Sequence, residues 1–207
     1  MTTARTILVP RLRVVRWFEN LASRHGEPSY AVRAGRLVAT APDGASAEAA
    51  LPFAEQYDGI ADPQAFAAAI TMPRRWGVLL VRKGGFAVAL VRDGTVAESK
   101  VGQRHVQGRT KAGGQSQQRF ARRRDNQARQ AYEAAADHAA RILGPVDALV
   151  CGGDRAAVEA VLADPRLRGL ADLRVGPWLP VPDPRRAVLD QAVTDGASVE
   201  LTVTEPA

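Results

Sequence analysis

The residues whose types and spacing could do chemistry are Gly113, Gly114 and Gln115, with Gln117 two places further on. Two adjacent glycines remove both Cβ atoms, so the backbone there can adopt positive φ and approach a ligand closely. Glutamine carries an amide donor pair and a carbonyl acceptor, and has no titratable proton. A neutral amide on such a backbone suits a reaction centre made of ester, ribose and water. It does not suit a protease or a metal site. Immediately behind it come Arg119, Arg122, Arg123 and Arg124. These read as a surface that tracks phosphates, joined by Arg104, Arg109 and Lys111 on the other side of the glycine pair.

The charge of the whole chain supports that reading through its distribution. The 207 residues carry a net charge of +6, yet the stretch from Lys100 to Arg129 holds nine basic residues and only Asp125 as an acid. That stretch is +8 and the remainder is about −2. Basicity confined to one segment is what a polyanion-binding face requires, and it is not a general solubility device. A charge run is most often a solvated helix end. Four arginines in six residues beside this loop, almost without acids, favour phosphate contact.

Other chemistries are poorly supplied. Cys151 is the sole cysteine, so there is neither a disulfide framework nor a cysteine metal cluster, and it reads as a small buried hydrophobe. His25, His105 and His138 lack ligand spacing, so neither a metal nor any other cofactor is expected. No Ser-His-Asp set is evident. No apolar run approaches the roughly 20 residues of a membrane span. Pro10, Arg11 and Arg13 interrupt what would be a signal peptide's apolar block, so a cytoplasmic protein is expected.

These residues must be held by elements that the hydrophobic pattern outlines. Pro10 can open a helix whose apolar face is Val14, Val15, Trp17, Phe18, Leu21 and Ala22, stopped at His25-Gly26. Residues 29–53 read as an antiparallel ribbon around Gly35 and Asp43-Gly44, and Pro63 starts a short helix. Residues 1–71 are thus a small N-terminal accessory unit of helix and β-ribbon. From Trp76, runs 76–82, 86–92 and 95–101 predict a three-stranded meander with turns at Lys83-Gly84-Gly85 and Asp93-Gly94. Residues 102–116 form a long polar loop, the kind that in compact domains is usually functional. A helix from about 118 to 143 follows, docking by its alanine-lined C-terminal part and projecting its basic N-terminal part. Strand 146–151, helix 155–163, strand 173–175, helix 183–194 and strand 198–203 complete the pattern. The expectation is an α/β fold, a mixed-sheet layered core over 72–207.

The string Gly113-Gly114-Gln115-Ser116, two spacers, then Arg119-Phe120-Ala121-Arg122 and Arg124 resembles the catalytic loop and following helix of the eukaryotic and archaeal class I translation release factors. In that family strands precede the loop, a long helix follows, and a strand ending in small residues comes next, as Ala148 to Gly153 does here. The resemblance spans about residues 76–204 and is specific around the loop. The chain has no room for that family's codon-reading and GTPase-recruiting domains. What remains resembles the release-factor-like domain of the Vms-type ribosome-rescue factors, in which the glutamine sometimes lies one or two places later. Gln117 therefore rivals Gln115. Gln115 is preferred because its register with Arg-Phe-Ala-Arg is the family's.

The resemblance implies hydrolysis of the ester joining a nascent peptide to tRNA on a stalled large ribosomal subunit, independent of stop codons. Its implied partners are ribosomal RNA and peptidyl-tRNA, and the protein is expected to be a monomer. A backbone N–H at Gln115 would stabilise the oxyanion, the side chain would orient water, and the RNA would supply most of the pocket. Two alternatives stay open: a nuclease cutting near the CCA end of the tRNA with the same loop, and a non-catalytic RNA-binding module similar to Pelota-type factors. Gly152-Gly153-Asp154 resembles a phosphate-binding turn only superficially, and reads as a structural turn with Asp154 capping a helix.

Overall fold

The structure, a computed structural model, describes residues 4–103 and 115–206, with side chains given outside 103–127. In chain order run β1 (Ala4–Val9), α1 (Val14–His25), β2 (Ser29–Arg33), β3 (Arg36–Thr40), β4 (Ser46–Ala50), α2 (Pro63–Ala68), β5 (Arg75–Arg82), β6 (Gly85–Arg92) and β7 (Thr95–Gln103). Then come α3 (Gln115–Ile142), β8 (Ala148–Gly153), α4 (Arg155–Leu162), α5 (Arg168–Ala171), β9 (Arg174–Leu179), α6 (Arg186–Gly196) and β10 (Val199–Thr204). They form two compact units, Met1–Met72 with Thr194–Ala207, and Pro73–Val193.

The first unit is a five-stranded antiparallel sheet in the order β1-β10-β4-β3-β2. Val14, Phe18 and Leu21, at helical spacing on α1, are buried in one cluster with Leu37, Ala47, Phe66 and Leu201. Asp62 caps α2 by accepting from the Ala65 N–H at 2.8 Å. The ribbon expected over 29–53 is present as β2 to β4, but the sheet is larger than the sequence reading allowed. β1 was not anticipated. The final strand, expected to close the core over 72–207, pairs instead with β1 and β4, from Ala4↔Thr204 to Glu200↔Ala50. Alternating Val199, Leu201 and Val203 are buried, a pattern that specifies a half-buried strand and is silent about which sheet receives it.

The second unit is a mixed sheet ordered β7-β6-β5-β8-β9. The expected meander is there, β5 to β7 antiparallel, with Asp93 and Gly94 both at positive φ (49° and 79°) in the two-residue turn between β6 and β7. β8 joins parallel to β5, and β9 parallel to β8, as βα crossovers require. α3 and α4 cover the sheet through a cluster that includes Leu79, Val88, Ala135, Ala139, Leu149 and Val158. The α/β layered architecture with a long helix after the Gly-Gly-Gln segment is therefore as expected. Boundaries moved: α3 begins at Gln115 where 118 was expected, β8 starts at Ala148, and β9 runs on to Leu179. The short α5 was not foreseen.

Candidate functional site

The segment of interest leaves the sheet at the end of β7 and returns to the core along α3. Gly113, Gly114, Arg104, Arg109 and Lys111 lie outside the described residues. Gln115 is the first residue of α3 and Gln117 the third, with Arg119, Arg122, Arg123 and Arg124 following on the same helix; their side chains also lie outside the description.

A single aromatic residue packs against both the end of β7 and the docked half of α3. Phe86, 5% exposed, is the cross-strand partner of Gly102 near the end of β7. A Cβ on Gly102 would stand 2.3 Å from Phe86 Cε1 and 2.5 Å from Cζ, so the ring occupies the space that a side chain there would need. The same ring stacks on His138 of α3, centroids 5.5 Å apart at 28°. One ring thus packs on the strand that leads into the segment and on the helix that leads out of it. Burial, helped by the neighbouring charges of Arg141 and Lys100, holds the His138 imidazole below its ordinary value of 6.5, which favours the neutral ring in the stack. Sequence reading missed this contact. The hairpin register alone would have paired Phe86 with Val101; a bulge between Leu90 and Val91 brings Gly102 opposite it, and nothing in the sequence points to His138.

The C-terminal half of α3 is anchored as its alanines foretell. Ala131, Ala135, Ala136, Ala139 and Ile142 are buried, and small side chains let a helix lie close on a sheet. Arg166 bonds Asp137 at 2.7 Å, tying α3 to the turn before α5. Gln115 lies sixteen residues before Ala131, about 24 Å along the axis at 1.5 Å per residue. Helical spacing sorts the polar positions. Gln115, Arg119 and Arg122 fall at i, i+4 and i+7, along one line of the helix. Gln117, Arg124, Ala128, Ala131 and Ala135 fall along another, which is the docked line.

The same end of the sheet carries the ends of β5 and β8, since Val81 is in register with Gly153 and Gly85 with Gln103. Asp154 caps α4, accepting from the Ala156 N–H at 3.2 Å. The Gly152-Gly153 pair is filled by protein. A Cβ on Gly152 would meet the Leu179 carbonyl oxygen at 2.6 Å, and one on Gly153 the Val81 carbonyl oxygen at 2.3 Å. The structural reading of this turn is the one that the packing supports. Trp178 donates to the Gly153 carbonyl at 3.3 Å, and Arg155 lies over its ring at 4.4 Å. Trp76 is buried, and Trp17 packs edge-on against Phe18 at 5.2 Å. Cys151 is 3% exposed, and burial pushes its thiol up to about 12, so it is a packing residue. Among the described residues, no group of three or more His, Cys, Asp or Glu could hold a metal ion, and no helix is long and apolar enough to cross a membrane.

Residues 74–202 match the family model of the Actinobacteria/chloroflexi VLRF1 release factor. The chain belongs to this family. It is therefore a release-factor-like protein, and the match takes in the meander, α3 and the β8–α4 unit. No curated protein matches the chain. Among solved structures, an archaeal translation termination factor, aRF1, is similar at 13% identity and a TM-score of 0.44, over 76% of this chain and 48% of that one. Pelota of Archaeoglobus fulgidus is similar at 12% identity and a TM-score of 0.29, over 80% of this chain and 48% of that one. The chain spans about half the length of either protein.

Proposed function

We propose that the protein is a ribosome-rescue peptidyl-tRNA hydrolase of the Vms-like kind. It would release nascent peptide from tRNA on a stalled large ribosomal subunit without reading a stop codon. The observation that carries the proposal is the position of Gln115 at the start of α3, directly after Gly113-Gly114, within the stretch matched to a release-factor family. The first four N–H groups of a helix have no acceptor within it, and the aligned peptides put partial positive charge there. A tetrahedral oxyanion formed at the ester carbonyl would be stabilised by the Gln115 N–H, a contribution of about 10²–10³ in rate for one such donor. The Gln115 side chain, neutral at any working pH, would orient the attacking water. The two glycines would let the backbone approach the ribose.

Gln115 is the better candidate than Gln117 on helical spacing, because it shares a line with Arg119 and Arg122, whereas Gln117 shares one with the docked alanines. Arg119, Arg122, Arg123 and Arg124, with Arg104, Arg109 and Lys111 of the preceding segment, would hold phosphates of ribosomal RNA and tRNA. The second unit, Pro73–Val193, would supply the catalytic part, and the first unit an accessory part. Purified peptidyl-tRNA on large subunits tests the reaction. A released peptide with a free carboxyl end supports ester hydrolysis, whereas a peptide still bearing nucleotides assigns cleavage of the tRNA instead.

A further inference from the structure

At the opposite end of the second unit's sheet from Gln103, a cavity of about 570 Å³ is lined by Arg74, Arg75, Arg92, Asp93 and Asp147. Arg75 and Arg92 are direct cross-strand partners on β5 and β6. Like charges placed opposite one another on a sheet are destabilising, so the pair needs an explanation. Two acids against three arginines leave the lining one positive charge in excess. Asp93 is paired with Arg74, Nε to Oδ1 at 3.4 Å. Asp147 accepts from the backbone N–H of Arg75 at 3.2 Å and is engaged by the strand end itself. Arg75 Nε is buried, with no hydrogen-bond partner among the described residues. A buried donor left unsatisfied in this way costs stability unless a ligand or water takes it up.

We infer that this corner is a second RNA contact, in which Arg75 and Arg92 hold a phosphate of the nucleic-acid backbone. The guanidinium fork matches phosphate oxygens, and Arg75, a lining residue, carries a buried Nε that the described residues leave unpaired. The lining has no aromatic side chain, hence no platform on which a free nucleotide's base could stack. Backbone phosphate is therefore the source favoured over a free nucleotide. β5 is eight residues long, so the site lies about 24 Å from the strand ends where the Gly-Gly-Gln segment departs. The inference rests on the reading of the protein as one that works on RNA, and it adds a contact remote from the reaction centre.

The test uses the full chain and a fluorescently labelled RNA hairpin, with affinity measured over a salt series. Arg92→Gln and Arg75→Gln should each weaken binding, by up to about 5-fold for exposed charge contacts, and lower the salt slope by about 0.7–0.9. Asp93→Asn, at a positive-φ turn position that asparagine tolerates, should tighten binding by releasing Arg74. Should Arg75→Gln fail to fold, Arg92→Gln and Asp93→Asn decide the matter by their opposite signs. Unchanged slopes in both variants overturn the inference. So does a thermal shift with inorganic phosphate or AMP that Arg92→Gln abolishes while the RNA slope stays at wild type, which would make this a free-anion site. None of these variants touches Gln115. A wild-type protein that fails to hydrolyse peptidyl-tRNA while Arg92→Gln still loses RNA affinity would sink the hydrolase reading and leave this site standing.

Discussion

Gly102→Ala probes how the Gly-Gly-Gln segment is held at its base. The new methyl carbon would lie 2.3 Å from Phe86 Cε1, 2.5 Å from Cζ and 3.0 Å from Cδ1, contacts that a packed ring relieves only by moving. Phe86 is 5% exposed and stacked on His138, so its motion is transmitted to α3. Overpacking of this kind costs about 1–3 kcal/mol. Replacing glycine by alanine returns about 0.4–1 kcal/mol by restricting the unfolded chain. The net destabilisation is about 1.3 kcal/mol at the centre of these ranges, which for a chain of this length lowers Tm by roughly 3–5 °C. The assay is thermal unfolding of wild type, G102A, F86L and the double variant. Leucine at 86 makes room for the methyl group, so the double variant should be more stable than the sum of the singles, by at least about 0.5 kcal/mol. Strictly additive effects, or an unchanged Tm in G102A, would refute the claim that the Phe86 ring fills the space beside Gly102.

Gly152→Ala should destabilise more than Gly102→Ala, because the obstacle is the Leu179 carbonyl oxygen at 2.6 Å and backbone cannot step aside; a stable G152A protein that had lost anion binding would revive the phosphate-turn reading. Cys151, with its thiol held up at about 12 by burial, should resist alkylation at pH 8 in the native protein and react only in denaturant, as followed by mass spectrometry. His138, titrating below 6.5 in the folded state, binds protons more readily when unfolded. Its contribution is intact above pH 6.5 and is lost as pH falls through the folded value. His138→Gln should therefore flatten the acid side of the stability curve, and an unchanged profile in urea titrations would contradict that.

Much of this molecule could be read locally. Val14, Phe18 and Leu21 announce a helix face, Asp93-Gly94 announces a hairpin turn, and Asp154 before an apolar run announces a cap. Each depends on residues within a few places of one another. The first unit's sheet did not yield in the same way, because β1 and β10 join residues such as Ala4 and Thr204 across nearly the whole chain. An alternating strand pattern does not name its partner. The start of α3 was placed too late, since Gln115-Ser116-Gln117-Gln118 has no apolar periodicity to betray a helix. The Gly-Gly-Gln string with its arginines was visible at once, whereas the brace formed by Phe86, Gly102 and His138 belongs to packing between elements. Arg75 and Arg92 likewise gain meaning only when β5 and β6 set them side by side.

The most direct measurement is release of peptide from purified peptidyl-tRNA bound to large ribosomal subunits, comparing wild type with Gln115→Ala and Gln117→Ala at matched subunit occupancy. The expected result is release of peptide with a free carboxyl end by wild type, a loss of about 10²-fold in Gln115→Ala, which keeps the backbone N–H and removes the side chain that positions the water, and a far smaller loss in Gln117→Ala. Equal release by wild type and Gln115→Ala would contradict it.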